Sequence, residues 1–124
     1  MLGSSELKLN AYRYDLCRSL LFGEDIEVET TGEGAVRTFV GGRRPDLVIL
    51  DGEPQSAAVL NFLSWLKTLP YSKTLGLKVV LMKKSIHPSR TEKGVHGLSC
   101  EKSIISRPLN VRELKEVIYN FRDN

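Results

Sequence analysis

No apolar run in this 124-residue chain reaches the roughly 18 residues that a membrane-crossing helix needs, so the sequence predicts no spanning segment. Cysteine is scarce. Cys17 and Cys100 are the only two, and they form no disulfide framework. Residues Met1 to Asn10 lack the basic start and long apolar stretch of a signal peptide, and a cytoplasmic address is the resulting expectation. Aromatics are few and do not interleave with the lysines, which makes a nucleic-acid surface an unfavoured reading. Neither Gly32-Glu33-Gly34 nor Gly41-Gly42 leads into the Gly-Lys-Ser/Thr ending of a phosphate loop. His87, His96 and Cys100 share one region, but their spacing fits no standard zinc pattern. No Ser/His/Asp arrangement is discernible, so the expectation is a non-enzyme. Repeats, low-complexity tracts and linkers are also absent, and the length suits one domain over 1–124.

What the chain does have is core material. It is 41% hydrophobic and 27% charged, a composition that buries apolar surface rather than staying disordered. Charge is polarised along it. Residues 1–64 hold 6 Lys/Arg against 10 Asp/Glu, and residues 65–124 hold 12 against 5. A basic half invites a small nucleotide- or nucleic-acid-binding protein as an alternative function.

Two hydrophobic periods alternate. Leu47-Val48-Ile49-Leu50 and Val79-Val80-Leu81-Met82 are continuous apolar runs, as in strands covered on both faces. Ile26 to Thr30 alternates and is β-branched, Lys102 to Ser106 is a weaker strand, and Glu6 to Asn10 is a short fifth candidate. Helical spacing links Tyr12, Leu16, Leu20 and Leu21, then Ala35, Val36, Phe39 and Val40, then Leu60, Phe62, Leu63 and Leu66. Cys17, Phe62 and Trp65 read as packing residues. Asn110 caps a last helix with Glu113 in capping-box position, followed by the apolar face Val111, Leu114, Val117, Ile118 and Phe121. Any helix between Ser85 and Leu98 is expected to be short and poorly anchored. The alternation predicts an α/β fold, a doubly wound five-stranded parallel sheet with helices on both faces. In such sheets function gathers at the carboxyl ends of the strands. Those ends hold Asp51, then Lys83-Lys84, then Ser106-Arg107-Pro108-Leu109.

At these residues the chain resembles a known family. Pro45-Asp46-Leu47-Val48-Ile49-Leu50-Asp51 is similar to the phosphoacceptor strand of response-regulator receiver domains of two-component signalling. Ile105-Ser106-Arg107-Pro108-Leu109 and the capped helix after it resemble that family's Lys-Pro segment. Thr30-Thr31-Gly32-Glu33-Gly34-Ala35 resembles its second strand-to-helix turn. The likeness runs from about Leu16 to Phe121. It implies a flavodoxin-like, receiver-type sheet and a stand-alone phosphorelay component with no effector domain, or a fragment of a longer protein. It also implies a histidine kinase or other signalling protein as partner. In that family an Asp carboxylate takes a phosphoryl group with the help of Mg²⁺, which an acidic pair after the first strand helps to hold.

Matched residue by residue, the likeness is partial. Asp51 stands as the phosphoacceptor candidate and Pro108 matches the family's proline. Arg107 stands where a Lys is expected, and Lys83 where a Thr or Ser is expected. The acidic pair should fall near Lys8, Leu9 and Asn10, and no acid is there. A second alignment puts Met1 to Gly3 in the first strand, with Ser4 and Ser5 at the site and still no acidic pair. Glu53 could help bind a cation, although a solvated loop carboxylate is the plainer reading. One carboxylate holds Mg²⁺ weakly, because a hard dication needs several anionic oxygens to offset its dehydration. No cofactor, or weak Mg²⁺ at Asp51, is therefore expected. Lys83 or Arg107 is expected to pair with Asp51 and to supply part of the missing positive charge. The resulting expectation is an atypical receiver that acts through protein–protein interaction with impaired Mg²⁺-dependent phosphorylation. An ordinary Asp51-phosphorylated receiver is the alternative.

Overall fold

Successive side chains of a strand point to opposite faces, so a run such as Val79-Val80-Leu81-Met82 needs apolar cover on both. The computed structural model supplies it. The structure describes residues 1–3, 5–17, 26–41, 45–51, 57–74, 76–83, 90–98, 100–106 and 109–122. Three strands, β1 (Leu47–Asp51), β2 (Lys78–Lys83) and β3 (Glu101–Ser106), form a parallel sheet in the order β1-β2-β3. Leu47 pairs with Lys78 and Asp51 with Met82 across the first junction, and Lys83 with Ser106 across the second.

Six helices are described: α1 (Glu6–Cys17), α2 (Gly32–Val40), α3 (Ala57–Lys67), α4 (Tyr71–Thr74), α5 (Arg90–His96) and α6 (Val111–Arg122). Five of them, all but α4, divide between the faces of the sheet. Val48, Leu50, Val79 and Leu81 meet Ala35 and Phe39 of α2, Val59, Phe62, Leu63 and Leu66 of α3, and Val95 of α5. Ile49, Val80, Met82 and Ile105 meet Leu16 of α1 and Leu114 and Ile118 of α6. Leu50 and Leu81 lose all contact with solvent. Truncating either to Ala costs about 2–5 kcal/mol at sites of this kind. Phe39, Phe62 and Trp65 lock α2 to α3, with ring centroids 5.3–6.3 Å apart.

Local chemistry sets the helix ends. The Thr31 hydroxyl accepts from the Gly34 amide at 2.9 Å and starts α2. Asn110 Oδ1 accepts from the amides of Arg112 at 2.9 Å and Glu113 at 3.2 Å and starts α6, the cap expected from the sequence. After α3 the chain tightens through Thr68 and Leu69 amides that donate to Trp65 and Leu66 carbonyls, ahead of Pro70. Gly76, with φ of 81°, makes the turn into β2, a conformation that suits glycine.

Three expectations change. Glu6 to Asn10 is the start of α1 and not a strand. Its brief alternation is overridden by Leu9, Tyr12 and Leu16, which recur at i, i+3 and i+7 and bury one helical stripe. Met1 to Gly3 instead runs beside the sheet: Leu2 makes isolated parallel bridges to both Glu29 and Leu50. Of Ile26 to Thr30, only Glu29 takes part in a bridge. The helix α5 is short, as expected, but it is well anchored. Val95 is fully buried, Leu98 follows it into the core, and Gly94 lets α5 approach α3 until a Cβ there would lie 3.0 Å from Leu63 Cδ1. Leu20, Leu21 and His87 lie outside the described residues, as does the side chain of Cys17. No helix among the described residues is long and apolar enough to cross a membrane.

Candidate functional site

Asp51 is the last residue of β1 and is 1% exposed. A backbone ladder holds it there. Its amide donates to the Leu2 carbonyl at 2.8 Å, and the Leu2 amide donates to the Ile49 carbonyl at 2.9 Å. On the other side of Leu2, the Gly3 amide donates to the Glu29 carbonyl at 3.3 Å and the Glu29 amide to the Met1 carbonyl at 2.9 Å. Met1 to Gly3 is thus threaded between the Glu29 segment and β1, and its carboxyl end emerges beside Asp51.

The closest approach is at Gly3. A Cβ at this position would stand 2.8 Å from Asp51 Cβ and 3.3 Å from Leu9 Cδ2. The backbone can lie against Asp51 only because the residue has no side chain. Leu9, fully buried in α1, adds an apolar wall in the same few ångströms. Sequence reasoning missed Gly3 and Leu9 as site residues. The signal that was available is the second alignment itself, which ends its strand at Gly3.

Alternation places Asp51 with Ile49 and Met82, on the face covered by α1 and α6. Lys83, one residue beyond Asp51's partner Met82, is half-buried at the end of β2. Alternation gives it the opposite face, so a Lys83–Asp51 contact would have to curl over the strand end. Both residues are engaged by neighbouring groups. Asn10 is corrected: it is an exposed residue of α1, in a helical turn rather than at a strand end. Glu53, Arg107 and Pro108 lie outside the described residues, as does Lys84. Trp65 and Phe62 are packing residues, as expected.

A Mg²⁺ ion can be tested against the donors present. Asp51 brings one carboxylate, Gly3 brings only backbone, and Leu9 brings no donor. Among the described residues no three His, Cys, Asp or Glu side chains gather as a metal site. By themselves the described donors fall short of the about six oxygens, several of them anionic, that a hard dication takes; Glu53 lies outside them.

Two ionisable groups elsewhere are shifted. Burial lowers the Met1 amine to about 6, against the opposing charges of Glu29 and Glu27, and the amine donates to the Glu27 carbonyl at 2.7 Å. Burial raises the Cys100 thiol above its ordinary value, while its own backbone and Lys102 pull it down. Cys100 lines a cavity of about 280 Å³ with Leu66, Leu69, Thr74 and Leu98. A wider cleft of about 680 Å³ opens at the amino end of the sheet beside Met1, Ile26, Glu27, Asp46 and Leu47. The Thr38 hydroxyl donates to Glu29 Oε1 there at 2.7 Å. Neither cavity has Asp51 on its wall. No family model, characterised protein or solved structure matches the chain.

Proposed function

We propose that this chain is an atypical receiver-like domain that relays a signal by binding another protein, with Mg²⁺-dependent phosphorylation of Asp51 impaired. The observation that carries this reading is the neighbour order around Leu2. The Glu29 segment, the Leu2 segment, β1, β2 and β3 succeed one another side by side, all parallel. In chain order this is 2-1-3-4-5, the order of flavodoxin-like sheets, in which ligands and reactive groups sit outside the carboxyl ends near the first and third strands. Counting the two bridged segments as strands, this reading puts Asp51 at that switch point. The split of helices supports the same reading, with α1 and α6 on one face and α2, α3 and α5 on the other.

The impairment follows from what surrounds the carboxylate. The resemblance implies an acidic pair just after the first strand, and neither alignment of the sequence supplies one; Gly3, at the end of the Leu2 segment, lies too close to Asp51 for any side chain. Where the resemblance implies a hydroxyl, the chain has Lys83. The carboxylate is also almost wholly buried, so a phosphoryl donor needs the site to open before attack. A histidine kinase or another signalling protein is the partner class this reading names.

Incubation with acetyl phosphate and Mg²⁺, followed by intact mass, tests it. The expected result is no mass increment of one phosphoryl group, with or without the metal, and the same spectrum for Asp51→Asn. Ready labelling of the native chain that Asp51→Asn abolishes would make this an ordinary phosphorylated receiver instead.

A further inference from the structure

We infer that the outer face of α1 is a self-association surface on which α1 of a second copy docks antiparallel. The helix has 12 residues and apolar side chains on two sides. Leu9, Tyr12 and Leu16 form the inner stripe; Leu9 and Leu16 are fully buried and Tyr12 half so. Leu7, Ala11 and Tyr14, at i, i+4 and i+7, form a second stripe on the opposite side. Leu7 is 84% and Tyr14 64% exposed, and Ala11 between them is exposed as well. An isolated exposed leucine is ordinary, but an aligned Leu-Ala-Tyr stripe on a helix already anchored by its other side is not what folding of this chain requires.

The charges beside the stripe say what fits it. Lys8 and Asp15, seven residues apart, line one flank; Glu6 and Arg13, also seven apart, line the other. All four side chains are exposed. When two copies of a helix pack antiparallel about a two-fold axis, each flank faces the same flank of the other copy in reversed direction. Crossing near Ala11, whose small side chain permits close approach, brings Leu7 against Tyr14. It sets Lys8 opposite Asp15 and Glu6 opposite Arg13, each pair occurring twice. All four charge pairs are then attractive. A parallel pairing about a two-fold axis would instead set each flank against the other flank, with Lys8 near Glu6 and Asp15 near Arg13, and the swap of Lys8 and Asp15 would then disrupt it rather than restore it.

The contact is one helix against one helix, about 18 Å long. It buries less than the roughly 1,200 Å² at which stable complexes begin, so the dimer is weak, concentration-dependent and favoured at low salt. The test is sedimentation equilibrium of the 124-residue chain from low micromolar to millimolar concentration. The expected result is reversible monomer–dimer behaviour. Leu7→Glu weakens it about tenfold or more, since the change is felt twice per dimer. Lys8→Asp weakens it several-fold, and the double swap Lys8→Asp, Asp15→Lys restores it. These positions are exposed, and circular dichroism of each variant checks that the fold persists. A chain that stays monomeric throughout overturns the inference. So does a dimer indifferent to Leu7→Glu, or one that the double swap fails to rescue.

Discussion

Gly3→Ala is the sharpest probe of the geometry around Asp51. The added methyl meets Asp51 Cβ at 2.8 Å, well inside van der Waals contact, and Leu9 Cδ2 at 3.3 Å. Leu9 is a flexible side chain and can give way. Asp51 Cβ is fixed by a backbone that is hydrogen-bonded to Leu2 at 2.8 Å, so the Met1 to Gly3 segment itself has to shift. Overpacking of a fixed contact costs about 1–3 kcal/mol. Replacing glycine returns about 0.4–1 kcal/mol through the unfolded chain. A net loss of about 1–2 kcal/mol remains, and urea unfolding followed by circular dichroism measures it. A second background separates the cause. In Asp51→Gly the opposing Cβ is gone, and Gly3→Ala then costs nothing or stabilises slightly. In Asp51→Ala the Cβ stays, and so does most of the penalty. A coupling energy of about 1 kcal/mol or more between positions 3 and 51, present with Gly and absent with Ala at 51, is the signature. If Gly3→Ala is neutral or stabilising in the native background, the close approach of the two segments is refuted, and with it the neighbour order that rests on Leu2.

Three further outcomes follow from single contacts. Asn110→Ala removes the acceptor for the Arg112 and Glu113 amides and lowers unfolding free energy by about 1 kcal/mol, while Asn110→Ser retains most of it. Thr38→Val keeps the shape but takes away the donor to Glu29 Oε1, and chemical denaturation shows a loss of about 1–3 kcal/mol because the site is partly buried. Cys100 reacts slowly with a thiol-specific disulfide reagent near pH 8. Its raised pKa leaves little thiolate there, so its rate goes on climbing with pH beyond the point at which a free thiol levels off.

The central strands were readable because their signal is local and redundant. Leu47 to Leu50 and Val79 to Met82 carry an apolar side chain at every position, which only two-sided cover explains, and β1 and β2 contain those residues. The α6 cap was readable for the same reason, since donor and acceptor lie within three residues of each other. Met1 to Gly3 was not. Three residues are too few to show a period, and their place beside Asp51 depends on partners at Glu29 and Leu50. Glu6 to Asn10 shows how a short alternation misleads when Leu9, Tyr12 and Leu16 continue it at another period. Anchoring of α5 by Val95 and Leu98 was equally hidden, because two apolar residues in a polar stretch make no pattern until Leu63 and the sheet surround them. At the site, Asp51 and Lys83 could be located from strand ends alone. The contact with Gly3 could not, since a glycine's missing side chain has no signature in the sequence.

Among the described residues, most of the charge that is so polarised in the sequence lies away from Asp51. On β2 and β3 the described lysines are Lys78, Lys83 and Lys102. Lys78 opens β2 and Lys102 sits near the start of β3, at the opposite end from Asp51. Lys102 is spent locally, its ammonium donating to the Leu98 carbonyl. Of these three described lysines, Lys83 is the one at the end where Asp51 stands. The acidic surplus of the first half is dispersed too, since α1 balances Glu6 and Asp15 with Lys8 and Arg13. Long-range fields from such scattered surface charge are screened within about 8–10 Å in physiological salt. What acts on a carboxylate buried to 1% exposure is its immediate wall. Among the described residues that wall includes the Gly3 backbone and the Leu9 side chain. Substituting Lys67 or Lys73, both exposed, should therefore leave Asp51 chemistry unmoved, whereas changes at Gly3 or Lys83 should alter it.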